Sequence, residues 1–161
     1  MTAPAGQPQL LVQNQGQAIW FLNSLTILKA TRESTGGAFA LAEQFMAPGF
    51  ITPYHRHRLE DEIFYVIDGH LTFVIGGRKM SAGPGTYVYG PREIPHGFRV
   101  DGGEEARILV WTTPAGFERF LVELGEPAQE LRIPEPVRHD EHHIAAVAAK
   151  YQIEILGPLP D

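Results

Sequence analysis

Between residues 63 and 113 the chain is divided into short apolar runs by breaks that contain glycine and proline. The breaks are Asp68-Gly69, Gly76-Gly77, Gly83-Pro84-Gly85, Gly90-Pro91 and Asp101-Gly102-Gly103. Asp-Gly and Gly-Gly pairs between strand-like runs are typical of β-hairpins, and regular short strands are typical of antiparallel sandwiches and barrels. The chain has 17 glycines and 13 prolines in 161 residues, more than the roughly 12% of average usage. The sequence therefore predicts an all-β fold.

The two ends of the chain differ from this central part. Residues 1–17 are small, polar and Pro-containing, which predicts a flexible segment before the barrel residues 18–113. In residues 114–161 two stretches carry apolar residues at helical spacing, so we expect helices near 115–124 and 141–150. Asp140 can cap the second helix. We predict a single domain over 1–161, with a helical C-terminal extension packed on the β-structure.

Charge and composition exclude several classes of partner. The net charge is −6 with both signs interspersed, which gives no reason to expect nucleic acid, and no Lys/Arg block indicates a membrane surface. There is no cationic leader and no apolar stretch long enough to span a bilayer, so we expect a cytoplasmic protein. The absence of cysteine excludes disulfides and thiolate metal sites.

The stretch "YHRHRLEDE", residues 54–62, places two histidines two positions apart. Pro53 disfavours helix for the residue before it, so the stretch is interpreted as extended. On a strand, His55 and His57 then share one face with Cα atoms about 6.6 Å apart, and their ring nitrogens can converge on one metal ion. The alternative is a solvated loop with two exposed histidines.

Two acidic residues compete as a further ligand. Strand alternation from His57 would place Asp61 on the histidine face, whereas Glu62 needs a turn or bulge within "RLED" to reach it. The alternation favours Asp61, and the polar composition of the segment permits Glu62.

Residues 49–69 read G-x5-H-x-H-x4-E-x6-G, through Gly49, His55, His57, Glu62 and Gly69. This pattern resembles the first motif of the cupin superfamily, with each motif position filled. The resemblance selects Glu62 over Asp61.

A second motif of that superfamily, G-x5-P-x-G-x2-H-x3-N, is similar to the segment that contains Gly85, Pro91 and His96. The chain departs from it twice, because Glu93 replaces a glycine and Val100 replaces the asparagine. The first departure predicts strain, since glutamate would have to adopt a backbone conformation that favours glycine.

The resemblance implies a small cupin-type antiparallel β-barrel, a double-stranded β-helix or jelly roll, with two C-terminal helices. It implies that one divalent transition-metal ion per chain (Fe, Mn, Ni, Co, Cu or Zn) is held by His55, His57, Glu62 and His96. Three imidazoles and a carboxylate suit these metals and leave coordination positions for substrate or dioxygen. Asp61 and Glu60 are then expected to be solvated charges near the barrel mouth.

The other histidines have simpler explanations. His70 follows the glycine of a predicted hairpin and is expected at the surface. His139 and His143 have the spacing of a helical metal pair, but they lie with His142 in a polar segment without a third ligand. We expect a solvated helix start there.

Strand alternation also predicts the lining of the metal cavity. Phe64 and Val66 share the face of Glu62, while Phe98 and Val100 share the face of His96. In the strand 38–46, either the odd set with Phe39 or the even set with Met46 faces inward, and both remain open. An apolar, aromatic cavity beside a metal indicates a hydrophobic or aromatic small molecule as partner.

The segments "AIWFL", "TGG", "TPAGFERFLVELGEPA" and "YQIEILGP" resemble the flanks of small bacterial cupins described as quercetin-dioxygenase-like. This resemblance implies a metal-dependent dioxygenase, an oxidoreductase that cleaves a flavonol-like molecule with dioxygen, with Glu62 as the catalytic base. The alternatives are a metal-dependent isomerase or lyase that does not use oxygen, and a non-enzymatic small-molecule-binding protein. Because "AIWFL" lacks an obvious hairpin partner, we also expect a homodimer formed through this segment or a neighbouring sheet edge.

Overall fold

Two antiparallel sheets enclose the main core in the computed structural model, which describes residues 6–161. The strands of the described residues are β1 (Gln17–Phe21), β2 (Ser24–Ala30), β3 (Ala40–Met46), β4 (Tyr54–His57), β5 (Asp61–Asp68), β6 (His70–Ile75), β7 (Arg78–Ala82), β8 (Tyr87–Gly90), β9 (His96–Asp101), β10 (Ala106–Thr113), β11 (Glu126–Pro127) and β12 (Ile153–Gly157). The helices are α1 (Arg32–Thr35), α2 (Phe117–Leu124) and α3 (Glu141–Lys150).

The first sheet has the order β11-β1-β2-β3-β10-β5-β8, and the second has the order β12-β4-β9-β6-β7. Consecutive strands pair across the breaks expected from the sequence, for example β6 with β7 around Gly76-Gly77. Gly69 ends β5 with φ +87°, and a Cβ there would lie 2.7 Å from the Ala106 Cα, so the position requires glycine. The all-β barrel predicted from the sequence is confirmed.

The main core lies between the sheets. The first sheet contributes residues such as Met46, Phe64 and Ile108, and the second contributes Phe73 and Phe98. In β3, the even-numbered set is buried, whereas Phe39 just before the strand is 38% exposed. The choice left open by alternation is therefore resolved in favour of the set that contains Met46.

The two longer helices begin and end close to the positions expected from the sequence. The Asp140 side chain accepts hydrogen bonds from the backbone N–H groups of His142 and His143 and so caps α3. Both helices bury apolar residues in a second cluster with β1, β2, β3 and β12, for example Phe120 and Val147.

The C-terminal segment also contains a strand that the sequence analysis did not predict. β12 pairs with β4, with Ile153 opposite His57 and Ile155 opposite His55. Ile153 is buried and packs in the second cluster, which explains why so short a run becomes a strand.

At the N-terminal end, the predicted flexible segment lies partly outside the described residues, because residues 1–5 are not described. Residues 6–16 contain no strand or helix. β1 forms a hairpin with β2 and also contacts β11, so "AIWFL" does have strand partners. Among the described residues, no helix combines the length and apolar character needed to cross a membrane.

Candidate metal centre

Four side chains from three strands converge between the two sheets. His55 and His57 lie on β4, His96 lies opposite His55 on β9, and Glu62 reaches them from β5 of the other sheet. One ligand atom from each of the four residues lies within 4.8 Å of the others. The structure therefore brings together the whole set that the motif resemblance implies.

The position of Glu62 follows from a break in strand structure. Residues 58–60 are not in a strand, and β5 begins only at Asp61, so the alternation that starts at His57 is interrupted. The Asp61 side chain points to Arg92 instead. Its Oδ1 atom accepts hydrogen bonds from the Arg92 backbone N–H (2.9 Å) and from Arg92 Nε (3.1 Å). Asp61, which strand alternation favoured, is thus held by an arginine away from the histidines.

Hydrogen bonds on the far side of each ring orient the histidines. His55 Nδ1 donates to the Pro53 carbonyl (2.8 Å) and His96 Nδ1 donates to the Ile94 carbonyl (3.1 Å). His57 Nδ1 lies 3.4 Å from Glu60 Oε2. A carbonyl or carboxylate oxygen can only accept, so each Nδ1 carries a proton and each Nε2 faces the centre, the arrangement usual for metal-binding histidines.

Glu60 corrects an expectation from the sequence. It was expected to be solvated, but it is only 3% exposed and contacts His57. Its Oε1 atom would lie 3.2 Å from a Cβ at Gly116, so the loop before α2 packs closely over it. The sequence holds no local signal for this role, because the covering loop lies far along the chain.

The three Nε2 atoms surround one carboxylate oxygen. Glu62 Oε2 lies 2.6 Å from His96 Nε2, 3.1 Å from His57 Nε2 and 3.9 Å from His55 Nε2. Although His57 Nε2 lies only 3.1 Å from Glu62 Oε2, the geometry does not make a hydrogen bond. This nitrogen is buried and has no hydrogen-bond partner among the described residues. A buried polar atom without a partner is costly, and a cation bound by these four groups would satisfy it. The donor set therefore fits a divalent transition metal.

Burial and neighbouring charges shift the pKa values of three side chains at the site, Glu62, His57 and His55. Burial alone would raise the pKa of Glu62, but the charge of His57 and the close approach of the three histidine rings outweigh it and hold that pKa well below its usual range. Burial opposes protonation of His57 as well, yet the carboxylates of Glu62 and Glu60 raise its pKa to about 9. Burial lowers the pKa of His55. In the metal-free protein a proton on His57 thus compensates the two carboxylates, and a metal ion would displace it.

A small cavity of about 60 Å³, called the inner cavity here, adjoins this cluster. His55 and Glu62 line it, together with Phe64 and Phe98 from the expected substrate-binding set. The other two members of that set, Val66 and Val100, are buried in the main core and do not line the cavity.

Residues outside the barrel strands also line the inner cavity, and the sequence analysis assigned them only to packing. They include Phe117 and Phe120 of α2 and Ile144 of α3. The Phe117 ring meets the His57 ring edge-on at a centroid distance of 4.8 Å. The apolar stripes of the two helices were the available signal, but they do not distinguish packing from cavity lining.

The remaining histidines do not form a second site. His139 Nε2 contacts the Asn23 side chain at 3.0 Å, His142 and His143 are exposed, and His70 is exposed as expected. Within residues 6–161, no other group of three or more potential ligands converges.

A family model described as "Cupin domain" matches residues 42–112, the part of the chain that carries all four converging ligands and most of both sheets. Residues 42–112 therefore match a cupin domain. The chain is 26% identical over 120 residues to quercetin 2,3-dioxygenase of Bacillus subtilis. The match covers 74% of this chain and 35% of the relative, so the chain spans about a third of that enzyme's length.

Solved structures share the fold of this chain. The polyketide cyclase RemF from Streptomyces resistomycificus superimposes with a TM-score of 0.58 at 23% identity, over 86% of this chain and 91% of that one. A predicted oxalate decarboxylase from Thermotoga maritima gives a TM-score of 0.60 at 17% identity, over 65% and 99% of the two chains. At these identities the similarity supports the fold, and different chemistries occur on it.

Proposed function

We propose that this protein is a metal-dependent dioxygenase that cleaves a flavonol-like aromatic molecule with dioxygen. The observation that carries the proposal is the arrangement of three imidazoles, two of them buried and the third half-buried, each with its Nε2 towards Glu62, beside an apolar cavity. The similarity to quercetin 2,3-dioxygenase supports the same reaction class.

His55, His57, Glu62 and His96 would hold the metal, and the bound metal would supply the redox chemistry that joins an electron-rich substrate to dioxygen. The four side chains are buried by more than four-fifths, and the Nδ1 hydrogen bonds fix the orientation of the rings. These hydrogen bonds keep the Nε2 atoms directed towards Glu62, next to the inner cavity that His55 and Glu62 line.

Glu62 is the proposed catalytic base. Its Oε2 atom makes the three contacts to the histidines, whereas the described residues give Oε1 no hydrogen bond. Oε1 is therefore the atom that would accept the hydroxyl proton of the substrate. The low pKa of Glu62 keeps the carboxylate in the unprotonated form that a base needs, although it also limits how strongly the group attracts a proton.

The walls of the inner cavity would orient the substrate. Phe64, Phe98 and Phe117 provide aromatic surfaces next to the carboxylate. Aromatic rings pack well in offset or edge-to-face contacts, so these walls suit a flat aromatic group and exclude water from it.

An isomerase or lyase that does not use oxygen is the second candidate, and the size of the inner cavity favours it. About 60 Å³ is well below the roughly 300 Å³ at which pockets for drug-sized ligands begin, so a small substrate would fit more easily.

Oxygen uptake discriminates between the two functions. The metal-free protein would be loaded anaerobically with each candidate metal and tested with flavonols, diketones and catechols at an oxygen electrode. Uptake that depends on both metal and flavonol supports the dioxygenase. No uptake with any combination would rule it out and favour the isomerase or lyase.

Substitutions of the two adjacent acids test the role of Glu62. We expect Glu62→Gln to retain part of the metal and to lose turnover by about a hundredfold or more, because the amide cannot accept the proton. Asp61→Asn is the matched control and should leave metal content and turnover nearly unchanged, since Asp61 faces Arg92. The measurements are metal analysis and oxygen uptake. Loss of metal in Asp61→Asn but not in Glu62→Gln would contradict the ligand assignment.

A further inference from the structure

A second cavity, called the outer chamber here, has a volume of about 430 Å³. It shares five lining residues with the inner cavity, which are Leu22, Thr52, Pro53, Ile144 and Ile155. The two spaces therefore lie on opposite sides of the same few side chains. The outer chamber is the larger by far and lies towards the surface, where Ile51 is 54% exposed.

We infer that the outer chamber binds the body of an aromatic substrate while its reacting end enters the inner cavity, and that Leu22 and Ile144 control passage between them. This inference rests on the proposed function and concerns how that substrate is recognised. The inference also explains how a substrate larger than the inner cavity could react, because only its reacting group needs to fit into about 60 Å³. The volume of the outer chamber lies within the roughly 300–1,000 Å³ of typical ligand pockets.

The chemistry of the outer chamber suits a flat molecule with polar groups at its rim. Ile51, Ile155 and Leu159 supply apolar surface, whereas the Arg138 guanidinium supplies hydrogen-bond donors on the wall that precedes α3. Arg138 is exposed and makes no salt bridge within the described part of the chain. An aromatic body with hydroxyl or phenolate substituents would satisfy both kinds of lining.

The wall that carries these donors is fixed to the turn that carries Leu22. Asn23 Nδ2 donates to the Val137 carbonyl, and the Val137 N–H donates to Asn23 Oδ1, both at 3.0 Å. His139 Nε2 contacts the same oxygen at 3.0 Å. The Asn23 amide thus holds the chamber wall and the Leu22 side chain in one relative position.

Ile144 is the second element of the constriction. It lies in the first turn of α3, is 8% exposed and lines both cavities. Shortening Ile144 or Leu22 should widen the passage without altering a metal ligand. Val147, one turn further along α3, is also buried but lines neither cavity, which makes it a matched control.

The test uses protein loaded with Co(II), whose visible spectrum reports ligands that reach the metal. Azide, with three atoms, is the small probe, and 3-hydroxyflavone is the large one, each mixed by stopped flow. We expect Ile144→Ala and Leu22→Ala each to raise the association rate of 3-hydroxyflavone by about tenfold, with azide association unchanged. Val147→Ala should change neither rate.

Two results would overturn the inference. One is a flavone association rate that neither Ile144→Ala nor Leu22→Ala changes, and the other is a flavone that fails to perturb the cobalt spectrum in any variant although azide does. Failure of the proposed function is distinguishable. If the flavone binds through the widened passage while no metal-loaded form of the protein consumes oxygen, the dioxygenase is ruled out and the outer chamber remains the binding site.

Discussion

His57 lies between two buried carboxylates in the candidate metal centre. Glu60 Oε2 is 3.4 Å from its Nδ1, and Glu62 Oε2 is 3.1 Å from its Nε2. The two nitrogens therefore face different partners: Glu60 orients the ring, and Glu62 belongs to the same candidate ligand set. Neither partner could be exchanged for a neutral group without changing the charge that the ring experiences.

Glu60→Gln tests the orienting role. The substitution removes the charge behind His57 while it keeps the size of the side chain, so we expect metal affinity to fall by about 10–100-fold. Competition with a chelator measures the affinity. Glu104→Gln, at an exposed loop position, is the control and should bind metal normally. Equal affinities in the two variants would show that Glu60 does not act on the metal through His57.

Glu93→Gly tests the strain expected from the departure in the second motif. Glu93 has φ +68°, which confirms that a non-glycine residue occupies a left-handed conformation there. Its carboxylate lies 3.8 Å from Arg58 in an exposed pair that contributes little. We therefore expect the glycine variant to be more stable by about 0.5–1 kcal/mol in urea unfolding. Glu104 does not have a positive φ, so the control Glu104→Gly should leave stability unchanged or lower it. A Glu93→Gly variant that is less stable than the original protein would contradict the prediction.

At the scale of elements, β12 supports the strand that carries two of the candidate metal ligands. It pairs with one edge of β4, and its Glu154 carboxylate accepts hydrogen bonds from Arg56 and Arg58. Ile153 and Ile155 of β12 also line the inner cavity. The C-terminal segment thus contributes to the site itself and to the second core cluster.

Removal of residues 153–161 tests this contribution. The truncation uncovers the β4 edge and removes the buried Ile153, so we expect the melting temperature to fall by about 5–15 °C. Metal affinity should fall as well, because His55 and His57 lose their supporting strand. Removal of residues 160–161 alone is the control and should have little effect. A 153–161 truncation with unchanged melting and metal binding would show that β4 needs no partner on that edge.

The elements also show how far the sequence could predict the site. The spacing of His55, His57 and His96 predicted a shared metal because alternation within β4 and the motif resemblance agree. Strand alternation wrongly favoured Asp61 as a ligand, because residues 58–60 leave the strand and β5 begins anew at Asp61. Glu60 and the cavity-lining residues of α2 and α3 could not be predicted. Their positions depend on how distant segments pack over the barrel mouth, and a local pattern contains no information about that packing.

At the scale of the whole molecule, the first sheet exposes an aromatic surface beside its β8 edge. Tyr65, Tyr87 and Tyr89 are 40%, 63% and 45% exposed. Exposed clusters of large apolar or aromatic side chains often mark interaction surfaces, and a free strand edge can pair with another chain. The homodimer expected from the sequence remains a prediction, and this edge is a better place for it than β1, which already has partners on both sides.

Light scattering tests the assembly. A homodimer should give twice the chain mass of 17.8 kDa, and Tyr87→Glu together with Tyr89→Glu should shift it towards the monomer by placing charges at the edge. Glu substitutions at Val122 and Leu131, which are also exposed, are the controls. A monomer at high protein concentration would contradict the prediction.

The pairing of β12 with β4 has a consequence for biosynthesis. Arg56 and its partner Glu154 are 98 positions apart, so a ribosome releases both histidines of β4 long before the strand that covers them. Until then the nascent chain presents an uncovered β4 edge. We expect the candidate metal centre to reach its final arrangement only after this segment has been translated.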